Sequence, residues 1–229
     1  MAVSYNPKVV TDGLVLCLDA GNTKSYPGSG TTWTDLSGNG NNGTLVNGVG
    51  FDGDYGGSLS FDGVNDYATI PDDDIWNIGS AKTWEMWINM NSVVNTTLPF
   101  GKGSQWWFSV GYTSLGGTSG EFNWLAYDGS WNTLNTGIVI STNTWYHLMV
   151  TWDGSFFRFY ANGELASTSS NYSAKVWSNS AFPVDIGGFS GGSSYVNAKI
   201  PIVRIYDDKE LLDFEVLQNY NALRGRYGI

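Results

Sequence analysis

The stretch from Trp145 to Ala166 limits the fold more than any other part of this chain. In WYHLMVTW, Tyr146, Leu148, Val150 and Trp152 alternate with Trp145, His147, Met149 and Thr151. In FFRFYANG, Phe157, Phe159 and Ala161 alternate with Phe156, Arg158 and Tyr160. Side chains in a strand point to opposite faces with period two, so each run carries one apolar face for a core. Asp153-Gly154 and Asn162-Gly163 interrupt the runs, and both dipeptides accept the positive φ of tight hairpin turns. The segment therefore reads as an antiparallel meander whose last strand is Glu164–Thr168.

The same alternation recurs upstream. TWEMWIN sets Trp84, Met86 and Ile88 against Glu85, Trp87 and Asn89. QWWFSVGY sets Trp106, Phe108, Val110 and Tyr112 against Gln105, Trp107 and Ser109. EFNWLAY sets Phe122, Trp124 and Ala126 against Glu121, Asn123, Leu125 and Tyr127. Further strands are expected at Gly13–Ala20, around FDGVNDY and at Ile200–Tyr206, with Gly/Asn/Ser turns between them. Short strands at regular spacing imply an all-β sandwich or barrel. The 30 glycines and 15% aromatic content suit it, since aromatics favour pleated surfaces and glycine favours turns. Only the C-terminal end departs from period two. Leu211, Phe214, Leu217 and Tyr220 recur at helical spacing behind Asp207 and Asp208, which suit a helix N-terminus. A helix over about 207–223 is expected, ending at Arg224-Gly225-Arg226 and packed on the sandwich. Residues 1–12 read as an extended arm and 13–229 as one domain, a usual size for a sandwich.

Composition removes several function classes. The net charge of −10, with no Lys/Arg cluster, opposes nucleic-acid binding. No apolar run is long enough to insert in a membrane. The opening MAVSYNPKVV has no apolar core of a signal peptide, so none is expected. The single Cys17, in the run LVLCL, is expected to be a buried apolar residue.

Four elements in order carry a family resemblance. TDLSGNGNNGTL resembles the N-terminal loop of laminin-G-like jelly rolls, and LSFDGVNDYATIP resembles their FDG-x-x-DY element. TWYHLMVTWDGSFFRFYANGELAST is similar to their central hairpin, and VRIYDDKEL with NYNALRGRYG to their last strand and helix. The resemblance implies a two-sheet antiparallel jelly-roll sandwich of the concanavalin A-like type. More narrowly, YNPKVVTDGLVLCLDAGNTKSYPGSGTTWTDLSGNGNNGTL and NYNALRGRYGI resemble laminin-G-like proteins of tailed bacteriophages. That implies a virion structural protein, made in the host cytoplasm, with other virion proteins as partners. It would decorate a capsid or sit on a tail or fibre, docked through residues 1–12 or 207–229.

Related jelly rolls include glycoside hydrolases, whose paired carboxylates lie two or four residues apart on one face of a strand. In WEMWINM, Glu85 stands alone, with Trp87 and Asn89 at the paired positions. A glycosidase needs two carboxyl groups facing each other across a sugar, so a non-catalytic chain is expected. No cofactor is required. Structural calcium, which many laminin-G-like domains bind, has candidate ligands in Asp52/Asp54, Asp62/Asp66 and Asp72–Asp74. The polar-aromatic faces of the central strands gather Glu85, Trp87, Asn89, Trp107, Asn123, Tyr127, Trp145, His147, Arg158 and Tyr160. Rings flanked by hydrogen-bonding groups are what a sugar platform requires, so this set is the candidate glycan site. The competing expectation is that loops, the helix or a neighbouring subunit cover that face.

Overall fold

The computed structural model describes residues 7–94 and 96–229. Residues 1–6 of the expected arm lie outside the described residues. The strands are β1 (Leu14–Asp19), β2 (Thr32–Trp33), β3 (Gly43–Val46), β4 (Gly50–Asp52), β5 (Ser58–Asp62), β6 (Tyr67–Ile70), β7 (Lys82–Met90) and β8 (Thr97–Lys102). They continue with β9 (Trp106–Val110), β10 (Glu121–Tyr127), β11 (Trp131–Val139), β12 (Trp145–Trp152), β13 (Phe157–Ala161), β14 (Glu164–Thr168), β15 (Val184–Ile186) and β16 (Asn197–Asp207), before α1 (Asp213–Tyr227).

Among the described residues, two 8-stranded antiparallel sheets stack as a jelly-roll sandwich. The first runs β14-β13-β12-β7-β16-β5-β4, with β1 also paired to β16. The second runs β11-β10-β9-β8-β15-β6-β3-β2. β16 is long enough to pair with β7 along one edge and with β5 and then β1 along the other.

The apolar faces expected from period two meet between the sheets. Trp84 from β7 lies 4.7 Å from Trp124 of β10 and 5.3 Å from Trp106 of β9, and all three are fully buried. Met86, Ile88, Phe108, Phe122, Leu148, Val150, Phe157 and Phe159 complete this core. Burying such side chains stabilises by about 1.5–3 kcal/mol each, which removes any need for cross-links. Cys17 is buried, and burial pushes its thiol above the usual range.

Asn162 (φ 53) and Gly163 (φ 82) form the two-residue hairpin between β13 and β14. Asn162 also closes a reciprocal pair with β12: its N–H donates to His147 O (2.8 Å), and its side-chain oxygen accepts from His147 N (2.9 Å). The Asp153-Gly154 connection is a longer loop. Only Gly154 has positive φ, and Asp153 Oδ1 accepts from Ser155 and Phe156 N–H at 2.7 Å. TDLSGNGNN is likewise built on one carboxylate. Asp35 accepts from Cys17, Ser37 and Asn41 N–H and from the Ser37 hydroxyl.

The helix differs from expectation in bounds and facing. Asp207 stays in β16 and pairs with the buried Lys82, while Thr83 Oγ1 accepts from Leu211 N (2.9 Å) and donates to Lys209 O (3.0 Å). These bonds hold 209–212 outside the helix, which starts at Asp213, with Glu215 accepting from Leu212 N (2.9 Å). It runs through Arg224-Gly225-Arg226 and stops at Gly228. Arg226 is an anchor instead of a terminator, donating to Asp19, Gly57 O and Tyr55 O. Only part of the expected apolar row faces inward: Leu211 is buried and Tyr220 packs on Trp87, but Phe214 and Leu217 are exposed, while Val216, Asn219 and Tyr227 are buried against the first sheet.

Candidate functional site

The ten candidate residues do not form one face. Glu85, Trp87, Asn89, Trp145, His147, Arg158 and Tyr160 lie on β7, β12 and β13 of the first sheet, whereas Trp107, Asn123 and Tyr127 lie on β9 and β10 of the second. The outer faces of two stacked sheets point in opposite directions. Period two tells which side of its strand a residue takes, but not which sheet the strand joins.

On the first sheet, α1 covers most of the set. Tyr227 stacks on Trp87 (4.4 Å between ring centroids) and packs on Trp145 (4.6 Å), while Tyr220 lies over Trp87 and His147. Beneath this layer is a sealed polar network. Glu85 Oε1 bonds Arg204 Nη1 and sits 3.2 Å from His147 Nε2. Glu85 Oε2 accepts from Asn219 Nδ2 (2.8 Å), which also donates to the Tyr206 hydroxyl (2.8 Å). The residue 7–12 segment joins it: Val10 N donates to Asn219 Oδ1 (2.8 Å), and Val10 O faces the Tyr206 hydroxyl (3.2 Å). Burial alone would raise the Glu85 carboxyl, but the Arg204 charge and the bonds from His147 and Asn219 outweigh it and bring it down to about 2. Tyr160 is buried and donates to Asp213 (2.8 Å), and Arg158 is held by Asp153 and Glu210. Asn89 is half-buried in the ladder between β12 and β16. Glu85, Trp87, Trp145, His147 and Tyr160 are all buried between the helix and the sheet.

The outer face of the second sheet is different. It carries a cleft of about 210 Å³. Trp107, Leu98 and Leu125 make its floor. Trp107 lies flat over its neighbour strand because residue 101 is glycine. A Cβ there would stand 2.3 Å from the indole. The indole N–H donates to Gly103 O (2.6 Å) and fixes the ring. Tyr112, Leu115, Phe189 and Trp131 of β11 complete its lining. Tyr127 packs behind Trp131 at 5.1 Å.

Buried polar side chains hold this lining. Asn123 accepts from Tyr112 N (3.3 Å) and donates to Asn135 (2.8 Å), which accepts from Thr118 N (3.2 Å). Asp185 of β15 accepts from Ser190 N (2.9 Å), pinning the loop that presents Phe189 edge-on to Trp107. Burial raises the Asp185 carboxyl above the usual range, against the bonds from Ser190. No residue lining the cleft carries a charge. The Ser104, Ser193 and Tyr112 hydroxyls at its rim make no hydrogen bond within the described residues. Of the sequence candidates, then, Trp107 lines the cleft, while Asn123 and Tyr127 support it. Tyr112, Trp131, Phe189, Ser104 and Ser193 were not among them. For Trp131 and Phe189 the legible signal is an aromatic beside a Gly/Ser turn, as in YDGSW and GGFSGGSS.

Several of the calcium candidates are engaged in other contacts. Asp52 pairs with Lys199, Asp72 with Lys102 (2.7 Å), and Asp73 caps Ile75 N–H (3.0 Å). Asp62 accepts from Val64 N (2.8 Å), and Asp66 is raised by burial and by Asp62. Among the described residues no group of three or more His, Cys, Asp or Glu side chains is placed to hold a metal ion.

The family model described as the concanavalin A-like lectin/glucanases superfamily matches residues 62–216. The chain belongs to that superfamily. A search of curated proteins finds no match. Among solved structures it is similar to the binding domain of Paraclostridial mosquitocidal protein 1, at TM-score 0.72 and 19% identity over 93% of this chain and 52% of that one. It is similar to domain 4 of AbnA, an extracellular arabinanase from Geobacillus stearothermophilus solved with arabinotriose, at 0.71 and 19% over 90% and 98%. The botulinum neurotoxin serotype D ligand-binding domain, solved with N-acetylneuraminic acid, aligns at 0.68 and 16% over 92% and 51%. The chain therefore spans about half of the toxin domains and nearly all of the arabinanase domain. At these identities the likeness is one of fold.

Proposed function

We propose that this chain is a non-catalytic carbohydrate-binding module whose site is the aromatic cleft on the second sheet. The observation that carries the reading is the cleft's composition: fixed rings in its lining, with unpartnered hydroxyls at the rim. Apolar sugar faces stack on such rings while sugar hydroxyls pair with the rim, the usual balance of a small-molecule site. The arabinotriose and N-acetylneuraminic acid in two fold neighbours support a sugar as ligand. Glu85, the acid on the strand where related hydrolases carry theirs, is sealed and paired to Arg204, so it has neither the access nor the protonation of a general acid. A glycan array probed with the intact chain, with Trp131→Ala and Phe189→Ala as controls, tests the reading. Binding that both substitutions weaken supports it, and no binding by the intact chain removes it.

A virion structural role is the second reading. The phage-like sequence is concentrated in the two terminal segments, and these pack on each other: Gln218 donates to Lys8 O (2.6 Å), and Val10 to Asn219. One terminal unit is thereby formed on the face opposite the cleft, which would leave the cleft free on a particle. Mass spectrometry of purified phage particles from cells producing this chain tests it. Its absence from particles that are otherwise complete refutes the role.

A further inference from the structure

Resting on the carbohydrate reading, we infer that the cleft takes a single uncharged sugar ring and rejects acidic sugars. Its volume of about 210 Å³ is below the roughly 300–1,000 Å³ of sites that enclose a drug-sized ligand. The cleft therefore has room for one ring, and the rest of an oligosaccharide lies outside it.

The charge argument is independent of size. Trp107, Tyr112, Trp131 and Phe189 surround the ring, with Ser104 and Ser193 at the rim, and none supplies a cation. Two basic groups on elements that border the cleft are already committed. Lys102, on the strand beside Trp107, is fully buried and turned to Asp72 and Ser180 O. Lys175 is bound by Asp128 in the hairpin that carries Trp131. The acidic group held beneath the Phe189 loop, Asp185, offers no counter-charge to an anion. The whole chain carries −10. A sialic or uronic acid would enter against that field and leave its carboxylate against aromatic rings without a counter-charge, which is strongly unfavourable. Neutral hydroxyls meet no such penalty.

The test uses the full chain on a glycan array that pairs neutral pentose, hexose and N-acetylhexosamine oligosaccharides with their sialylated and uronic-acid counterparts. Affinities of the hits are then measured by titration calorimetry. The expected result is binding of neutral members, with acidic counterparts weaker by about tenfold or more. The Ser193→Lys variant, which places a cation at the rim, should narrow that gap. Acidic glycans bound as well as or better than their neutral partners would overturn the inference while leaving a carbohydrate site standing. No binding of either set would remove both the inference and the function on which it rests.

Discussion

Replacing Glu85 with glutamine keeps the shape of the side chain but removes the only carboxylate that faces Arg204 inside the network. The Arg204 guanidinium and the Glu85 carboxylate are both inaccessible, so nothing else compensates the charge left behind. The Glu85 carboxyl ordinarily titrates at 4.5 and here at about 2. That gap corresponds to about 3 kcal/mol of folding free energy, at the low end of the ~3–5 kcal/mol found when one member of a buried pair is removed. Against a total of about 5–15 kcal/mol, this is a large loss. The pH dependence follows from the direction of the shift. A carboxyl held below its unfolded value contributes stability that is complete above pH 4.5 and is lost as pH falls toward 2. Urea unfolding followed by tryptophan fluorescence at pH 7 and at steps down to pH 3 measures both quantities. The expected difference between the parent and Glu85→Gln is about 3 kcal/mol at pH 7, shrinking steadily below pH 4.5. A loss of the same size at pH 7 and pH 3 would refute the electrostatic account, because misfitted packing does not titrate. A loss below about 0.5 kcal/mol at pH 7 would refute the network's importance.

Two further outcomes are expected. Gly101→Ala places a Cβ 2.3 Å from the Trp107 indole and 2.5 Å from Trp106 O, so overpacking should cost about 1–3 kcal/mol in thermal or urea unfolding. It should also weaken glycan binding by displacing the cleft floor, and unchanged binding would contradict the role given to Trp107. Truncation after Leu212 removes the rings that cover Trp87 and Trp145, so the shortened chain should aggregate or bind a hydrophobic dye. A soluble, dye-silent truncation with native near-ultraviolet circular dichroism would contradict the place of α1 in the fold.

Much of the sandwich was legible because its strands carry one strongly apolar face. Trp84, Phe108, Trp124, Val150 and Phe159 are all in the core that period two indicates. The site was less legible for reasons of geometry. Alternation placed Trp87 and Trp107 on outer faces, but pairing across distant strands decides that β7 and β9 belong to opposite sheets. Helical spacing in α1 favoured Phe214 and Leu217, yet the helix turns Asn219 inward, where its amide serves Glu85 and Tyr206. A polar residue satisfied by a buried partner looks like a surface residue in sequence. Trp131 and Phe189 have no periodic signal, because loops and a strand end bring them to the cleft.

The most direct measurement concerns which tryptophans meet the sugar. The chain has 11 tryptophans, and single Trp→Phe substitutions in an ¹⁵N-labelled sample serve to assign their indole N–H signals. Titration with the strongest neutral glycan from the array should shift the Trp131 and Trp107 signals in step with binding and leave Trp87 and Trp145 in place. Shifts at Trp87 or Trp145 with Trp131 and Trp107 unmoved would contradict the assignment of the site to the second sheet.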